Sequence, residues 1–185
     1  MPYYTKGFTL IELLITIGII TLIFTISTPL LHNTVAKNHA ATEINRIVGA
    51  INLARHEAIK HHAIITLCAS VDGHSCHGNW HEGMILFLDK KGNGSLDADD
   101  VLLRTYGPLP VASKLYWNSR NRNYLQMTPS GYLKGQNGTF LYCPGNKDNR
   151  YARAVILSQT GRVRLSSAND QGGIHEDADG KPLQC

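Results

Sequence analysis

The chain has 185 residues, of which 43% are hydrophobic and 17% are charged, a balance that excludes an intrinsically disordered protein. The formal net charge of +4 is small, so its distribution along the chain is more informative than its size. The sequence has no Gly-x-Ser-x-Gly elbow, Walker loop or His-Glu-x-x-His motif, so we expect no enzymatic activity and no cofactor.

An apolar segment runs from Phe8 to Leu31, and Glu12 is its only charged residue. As a helix these residues would be about 36 Å long, enough to cross a bilayer core of about 30 Å. A secretory signal peptide does not fit, because the apolar run is too long and no small-residue cleavage site follows it. Cleavage after Gly7 would instead give Phe8 an ammonium group, with which Glu12 of a neighbouring helix could pair.

Residues 7–12, Gly-Phe-Thr-Leu-Ile-Glu, resemble the class III signal of type IV pilins and type II secretion pseudopilins. The resemblance implies that a prepilin peptidase cuts after Gly7 and methylates Phe8, and that Glu12 acts in assembly with other pilins. It also implies an inner-membrane protein with a periplasmic domain before assembly, which reaches the pilus and cell surface afterwards. The expected segments are a leader (1–7), a transmembrane or filament-core helix (8–31), an amphipathic continuation of the helix (32–62) and a globular β domain (63–185).

After the apolar segment, a helical period continues to about His61. Apolar residues three and four positions apart predict one buried stripe, made of Ala40, Ala41, Ile44, Ile47, Val48, Ile51, Ala54, Ala58 and Ile59. Charged residues, Glu43 and Arg46 among them, tend to the opposite face. Strands are predicted near residues 63–70, 84–88, 101–106, 114–117, 124–128, 139–143, 152–157 and 162–166. A long helix followed by strands predicts an α+β fold, with the helix on antiparallel β-sheet as in the type IV pilin fold.

Four cysteines follow the helix, at Cys68, Cys76, Cys143 and Cys185. The pilin resemblance places them in the periplasm, where disulfides persist, and three pairings are possible. We prefer Cys68–Cys76, which closes a short loop, with Cys143–Cys185, which would hold the polar C-terminal tail on the sheet.

Two segments contain metal-ligand side chains without the spacing of a metal site. Residues 89–100 resemble a calcium loop, but Lys91 occupies a ligand position and the twelfth position lacks a glutamate. Residues 74–81 contain histidines and Cys76 without zinc-finger order. We expect a glycine-turned hairpin and a solvated loop, and no metal.

Basic residues are concentrated between Arg104 and Arg164, where ten Lys or Arg residues against one acid give a local charge of +9. Five aromatic residues are interleaved with them, namely Tyr116, Trp117, Tyr124, Tyr132 and Tyr151. This combination predicts a localised basic surface for a polyanion, with nucleic acid as the first candidate. The alternative is a solvated basic face that only aids solubility.

Residues 158–167, Ser-Gln-Thr-Gly-Arg-Val-Arg-Leu-Ser-Ser, predict a turn followed by a strand. Strand alternation would turn Val163 and Leu165 into the core and Arg162 and Arg164 outward. The two guanidiniums would then be about 6.6 Å apart, close to the repeat of phosphates along a nucleic-acid strand.

Arg153, Arg150 and Lys147 are expected to support this pair from the neighbouring strand and loop. Gly-Arg-x-Arg, together with the hairpin that starts at Trp80, resembles the GspH/FimT family of minor pilins, and most of all its FimT-like members implicated in DNA uptake. The resemblance implies a minor pilin that binds DNA non-specifically for natural transformation. A pseudopilin or priming pilin that acts in assembly only, and a surface adhesin, remain as alternatives.

Overall fold

The computed structural model describes residues 7–110, 112–119, 122–168 and 173–185, and for residues 26–32 the backbone alone. The chain divides into two compact units, residues 1–38 and residues 39–185. Within the described residues, no helix combines the length and the hydropathy that a membrane span requires.

Helix α1 (Leu10–His61) begins with a capping box. The Thr9 backbone N–H and hydroxyl both donate to Glu12 Oε2, at 2.9 and 3.0 Å, and the Glu12 N–H donates to Thr9 Oγ1 at 3.3 Å. This reciprocal pattern satisfies backbone donors that the first turn of a helix leaves unpaired. Glu12 therefore has a partner within its own chain, in addition to the role in assembly that the sequence predicts for it.

Eight strands follow, and each ends within two residues of its predicted bounds. They are β1 (Ile65–Ala69), β2 (Met84–Leu88), β3 (Val101–Tyr106), β4 (Lys114–Ser119), β5 (Tyr124–Met127), β6 (Gly138–Cys143), β7 (Arg153–Leu157) and β8 (Val163–Leu165). The first sheet has the order β3-β2-β1-β5, and the second sheet has the order β4-β6-β7-β8. All pairs are antiparallel, so the predicted α+β fold is confirmed.

A single hydrophobic core joins the helix to both sheets. Its helix positions are at most 4% exposed and lie three or four residues apart, at Ala40, Ile44, Ile47, Ile51, Ala54 and Ala58. They pack with Leu67 and Leu86 of the first sheet and with Phe140 and Val155 of the second sheet. The second half of α1 therefore lies against both sheets at once.

The buried stripe is narrower than the sequence predicts. Ala41 is exposed and Ile59 is 46% exposed, whereas Glu43, expected on the opposite face, is only 7% exposed. The Glu43 carboxylate pairs with Arg46 at 3.4 Å, and Arg46 also donates to the carbonyl oxygen of Gly107. The ion pair lies within the helix, and the hydrogen bond of Arg46 holds the chain that follows β3 against this side of the helix, beside Glu43.

Asp89 organises the loop between β2 and β3, which form the predicted hairpin. Its carboxylate is 1% exposed and accepts hydrogen bonds from the Thr66 hydroxyl at 2.8 Å and the Gln126 amide at 2.9 Å. It also accepts the Gly92 backbone N–H at 2.6 Å. The leading acid of the calcium-like segment thus has its hydrogen-bonding capacity filled by protein donors.

Both predicted disulfides, Cys68–Cys76 and Cys143–Cys185, are present, each with a Cα–Cα distance of 5.6 Å. The second bond ties the C-terminal tail to β6. Leu183 of the tail is 5% exposed and packs against Ala152 and Ala154, on the face of the second sheet that points away from the helix. The tail therefore forms a covering layer on that face.

Removing the two disulfides should destabilise the protein to different degrees. The bonded cysteines are 42 residues apart in Cys143–Cys185 and 8 apart in Cys68–Cys76. Because the longer loop loses more chain entropy on closure, serine at both ends should lower the free energy of unfolding by about 4 kcal/mol in the first case and about 2.5 in the second. Urea denaturation of the two variants tests this, and a larger loss on removal of Cys68–Cys76 would contradict the dependence on loop length.

Candidate nucleic-acid interface

Arg162 and Arg164, here called the Arg pair, lie on the edge of the second sheet. In the described part of the chain β8 pairs with β7 alone, with Arg164 opposite Ile156. Both arginines are exposed, and Val163 between them is half-buried against the core. Leu165 was predicted to point into the core but is 48% exposed, because an edge strand has a neighbouring strand on one side only.

The Arg pair has no acidic partner among the described residues. The ion pairs of Lys and Arg in this part of the chain involve Arg46, Lys60, Lys91 and Arg150. Guanidiniums donate bidentately to phosphate, and a pair that is not already matched by carboxylates can do so without breaking an internal contact.

Two tight turns and the helix hold the Arg pair in place. The turn Ser158–Gly161 is closed by the Gly161 N–H donating to the Ser158 carbonyl at 2.9 Å. Gly161 has a φ of +76°, and a Cβ there would approach the Gly131 carbonyl oxygen to 2.5 Å. Arg55 of α1 donates to the Gly161 carbonyl at 3.3 Å. The residue before the Arg pair is therefore in backbone contact with a second loop and hydrogen-bonded to the helix.

Of the loop residues expected to support the pair, Arg150 has an acid of its own. Its Nη2 lies 2.6 Å from Asp148 Oδ2, and its Nε donates to the same carboxylate at 3.0 Å. These hydrogen bonds lower the pKa of the Asp148 carboxyl. Lys147 is exposed to solvent. Lys147 thus keeps a surface charge, whereas the charge of Arg150 is largely matched.

Arg153 is half-buried and turned toward its own backbone. Its Nη1 donates to the carbonyl oxygens of Arg150 at 2.9 Å and Ala152 at 2.7 Å, and burial lowers the pKa of the guanidinium. Alternation along β7 puts Arg153 on the face opposite to Ile156, and therefore opposite to Arg164. The structure does not bring Arg153 onto the same face as the Arg pair.

Comparison with protein families decides which class of protein carries this surface. The family described as "Type II transport protein GspH" matches residues 43–161, and the prokaryotic N-terminal methylation motif matches residues 4–28. The chain belongs to the GspH family. The family match ends at Gly161, so the Arg pair lies just beyond it.

Solved structures of two minor pilins share the fold of this GspH-family protein. The type IV minor pilin FimU of Pseudomonas aeruginosa is 24% identical, with 79% of this chain and 92% of that chain covered and a TM-score of 0.52; a second crystal form gives 0.50. The minor pseudopilin EpsH from the Type 2 Secretion System of Vibrio cholerae is 15% identical, with 69% of this chain and 95% of that chain covered and a TM-score of 0.50. No curated protein sequence matches the chain. The likeness confirms a type IV pilin fold.

The remaining basic residues of this GspH-family protein are distributed over both sheets. Arg104 lies on β3 of the first sheet, with its guanidinium carbon 5.5 Å from the centroid of the Tyr106 ring. Lys114 lies on β4 of the second sheet. Arg122 donates to the Lys134 carbonyl at 3.2 Å. Arg120 lies outside the described residues. The charge that is concentrated in the sequence is thus dispersed in space, because the strands that carry it belong to two sheets and to opposite edges of the second sheet.

The interleaved aromatic residues separate into a buried and an exposed group. Tyr151 is 4% exposed, and Trp117 and Tyr124 are half-buried. Tyr116 and Tyr132 are 47% and 52% exposed. Two of the five predicted surface aromatics are therefore available to a ligand over a large part of their area.

Substitution of Gly161 should show whether the contact with Gly131 holds the turn. Gly180 has nearly the same φ, +77° against +76°, but open space where a Cβ would lie. Gly180→Ala should therefore cost only about 1 kcal/mol for the left-handed backbone. Gly161→Ala should cost about 1–3 kcal/mol more, because the Cβ must displace the carbonyl of Gly131. Equal losses in urea denaturation would contradict this account of the turn.

Proposed function

We propose that this GspH-family protein is a minor type IV pilin that binds DNA non-specifically, through its phosphate backbone, for natural transformation. The supporting observation is the Arg pair, two exposed guanidiniums on an edge strand with no acidic partner among the described residues. Its side chains are two residues apart along a strand, about 6.6 Å, which suits successive phosphates. The proposed role is structural and binding rather than catalytic.

Binding would be followed by transport, since a filament that carries bound DNA draws it toward the cell when it disassembles. Lys147 is an exposed charge on the loop before β7, at the opposite end of that strand from the turn that precedes the Arg pair, so it would contact more distant phosphates. Arg153 acts indirectly, by holding the carbonyl groups of Arg150 and Ala152. Arg150 itself contributes less, because Asp148 already matches its charge.

The N-terminal motif supports the proposed maturation and location. A prepilin peptidase would cut after Gly7 and methylate Phe8, leaving residues 8–31 as a membrane or filament-core helix and residues 63–185 as a periplasmic β domain. The capping box keeps the Glu12 carboxylate at the start of the helix. From there it can meet the N-terminal ammonium group of an adjacent pilin, which would make Glu12 a registry residue for assembly.

A pseudopilin or priming pilin that acts in assembly alone is the second candidate. Two observations favour it, the match to the family described as "Type II transport protein GspH" and the fold shared with a minor pseudopilin. The two functions differ in one property that can be measured directly, because an assembly-only protein has no reason to bind DNA.

Arg162→Gln combined with Arg164→Gln should abolish most DNA binding without unfolding the protein. Each phosphate contact contributes roughly one unit to the slope of log K against log salt, so the double variant should lose about two units. Fluorescence anisotropy of the full-length protein with labelled duplex, measured over a salt series, gives both affinity and slope. Both side chains are exposed, so the melting temperature should change little. Transformation should fail while pili still assemble.

Arg104→Gln combined with Lys114→Gln is the matched control for this test. It removes the same charge from exposed residues on β3 and β4, which are edge strands that do not pair with β8. The control should keep a salt slope close to that of the wild type. An unchanged slope in the Arg-pair variant, or equal losses in both variants, would refute the Arg pair as the binding site. If the wild type itself binds no duplex at low salt, the assembly-only function is the better one.

Processing can be checked by the intact mass of the mature protein. Cleavage after Gly7 and methylation should remove residues 1–7 and add one methyl group to Phe8, because this cut gives an ammonium group near Glu12. Cells that lack the prepilin peptidase are the control and should retain the whole leader. An uncut N-terminus in cells with an active peptidase would contradict the pilin maturation pathway.

A further inference from the structure

A groove lies beside the Arg pair, between the loop that follows β5 and the turn that precedes β8. Its volume is about 430 Å³, within the range of about 300–1,000 Å³ that is typical of small-molecule sites. It is lined by Thr128, Tyr132, Leu133, Lys134, Gln159 and Thr160. We call it the Tyr132 groove.

Backbone contacts fix the Tyr132 groove relative to the Arg pair. The Gly131 carbonyl packs directly on Gly161, and these two glycines immediately precede Tyr132 and Arg162 in the chain. The Leu133 N–H also donates to the Gln159 carbonyl oxygen at 2.9 Å. Because consecutive Cα atoms are about 3.8 Å apart, a ligand about the size of one nucleotide can reach both the groove and the arginine.

Tyr132 combines a fixed backbone with an exposed ring. Its carbonyl oxygen accepts hydrogen bonds from the Thr128 N–H at 2.8 Å and the Thr128 hydroxyl at 3.0 Å, while the residue is 52% exposed. Gln159 on the facing wall is exposed, and its backbone carbonyl holds the turn against the loop. A tyrosine ring provides a stacking surface for a base, and a glutamine amide both donates to and accepts from a base edge.

We propose that the Tyr132 groove receives an unpaired nucleobase while the Arg pair binds the adjoining phosphates, so that the protein prefers single-stranded DNA to duplex. This inference rests on the proposed DNA-binding function and specifies its substrate. The faces of bases in a duplex are stacked on one another and are closed to Tyr132, whereas a single strand presents them. Extruding a base from a duplex costs a few kcal/mol, which is comparable to the whole gain from stacking one base, about 1–3 kcal/mol.

The test compares three labelled ligands on the full-length protein in detergent, by fluorescence anisotropy at one low salt concentration. They are oligo(dT), a duplex of the same length, and an abasic strand that has the same phosphates without bases. Wild-type protein should bind oligo(dT) more tightly than the duplex. It should bind the abasic strand at least about fivefold more weakly than oligo(dT). Because this comparison needs no substitution, it holds even if a variant fails to fold.

Variants of the groove locate the effect. Tyr132→Ala should weaken oligo(dT) binding about fivefold or more and leave duplex binding nearly unchanged, whereas Tyr132→Phe, which keeps the ring, should bind as the wild type does. Tyr116→Ala is the matched control, since Tyr116 is 47% exposed but lies on β4, at the other edge of the second sheet. Tyr116→Ala should leave the affinity for both oligo(dT) and duplex unchanged.

The possible outcomes separate this inference from the proposed function. Equal affinity for oligo(dT), duplex and abasic strand, or equal binding by Tyr132→Ala and the wild type, would overturn the stacking site. If the Arg-pair variant still loses affinity in that case, DNA binding through phosphate stands. If the wild type binds none of the three ligands at low salt, both the stacking site and the DNA-binding function are wrong.

Discussion

The burial of one helix stripe against two sheets is the constraint on which the rest of the domain depends. Each sheet has an apolar inner face, and α1 covers both of these faces with the same row of small and branched side chains. Alanine at positions 40, 54 and 58 lets the strands approach the helix closely, and the isoleucines between them fill the remaining volume. Once this core has formed, the loops and edges are held by the strands that carry them, so the outer surface can be specialised without loss of packing.

That specialisation is visible in how similar arginines have different tasks. Arg46 and Arg55 hold backbone carbonyls of loops that pass over the helix, and Arg150 is matched by a neighbouring acid. Arg162 and Arg164 have no such acid among the described residues and lie where a sheet ends. The net charge of the chain does not distinguish these five arginines. The two arginines of the proposed site differ from the other three because they lie on a strand without an acidic partner among the described residues, and this difference is visible only in the structure.

Local chemistry explains why much of the fold could be predicted from the sequence. Glycine, asparagine and aspartate mark the turns, so strand bounds followed from composition, and the exposure of the Arg pair followed from alternation along a short strand. The paired cysteines followed from loop length and the need to hold a polar tail. By contrast, the burial of Glu43 depends on a chain segment more than sixty residues away, which no helical period can indicate.

The candidate site was predicted less completely, for the same reason. Asp148, two residues before Arg150, was counted in the net charge of the basic segment, but its closeness in sequence was also a signal that it would pair with this arginine. The exposure of Tyr132 and the burial of Tyr151 could not be separated from sequence, because both lie in polar loops and only packing against the sheets distinguishes them. The Tyr132 groove has two walls from loops about thirty residues apart, so it exists only after those loops meet.

The hydrogen bond between Arg55 and Gly161 joins residues 106 positions apart in the chain. It links the turn that precedes the edge strand to a side chain near the C-terminal end of helix α1. Selection for a different ligand could therefore act on the helix surface and still reposition the edge strand, with every ligand-contacting residue left as it is. In a lineage of such proteins, adaptation at the proposed binding edge would then be recorded partly in the helix, where a comparison restricted to contact residues would overlook it.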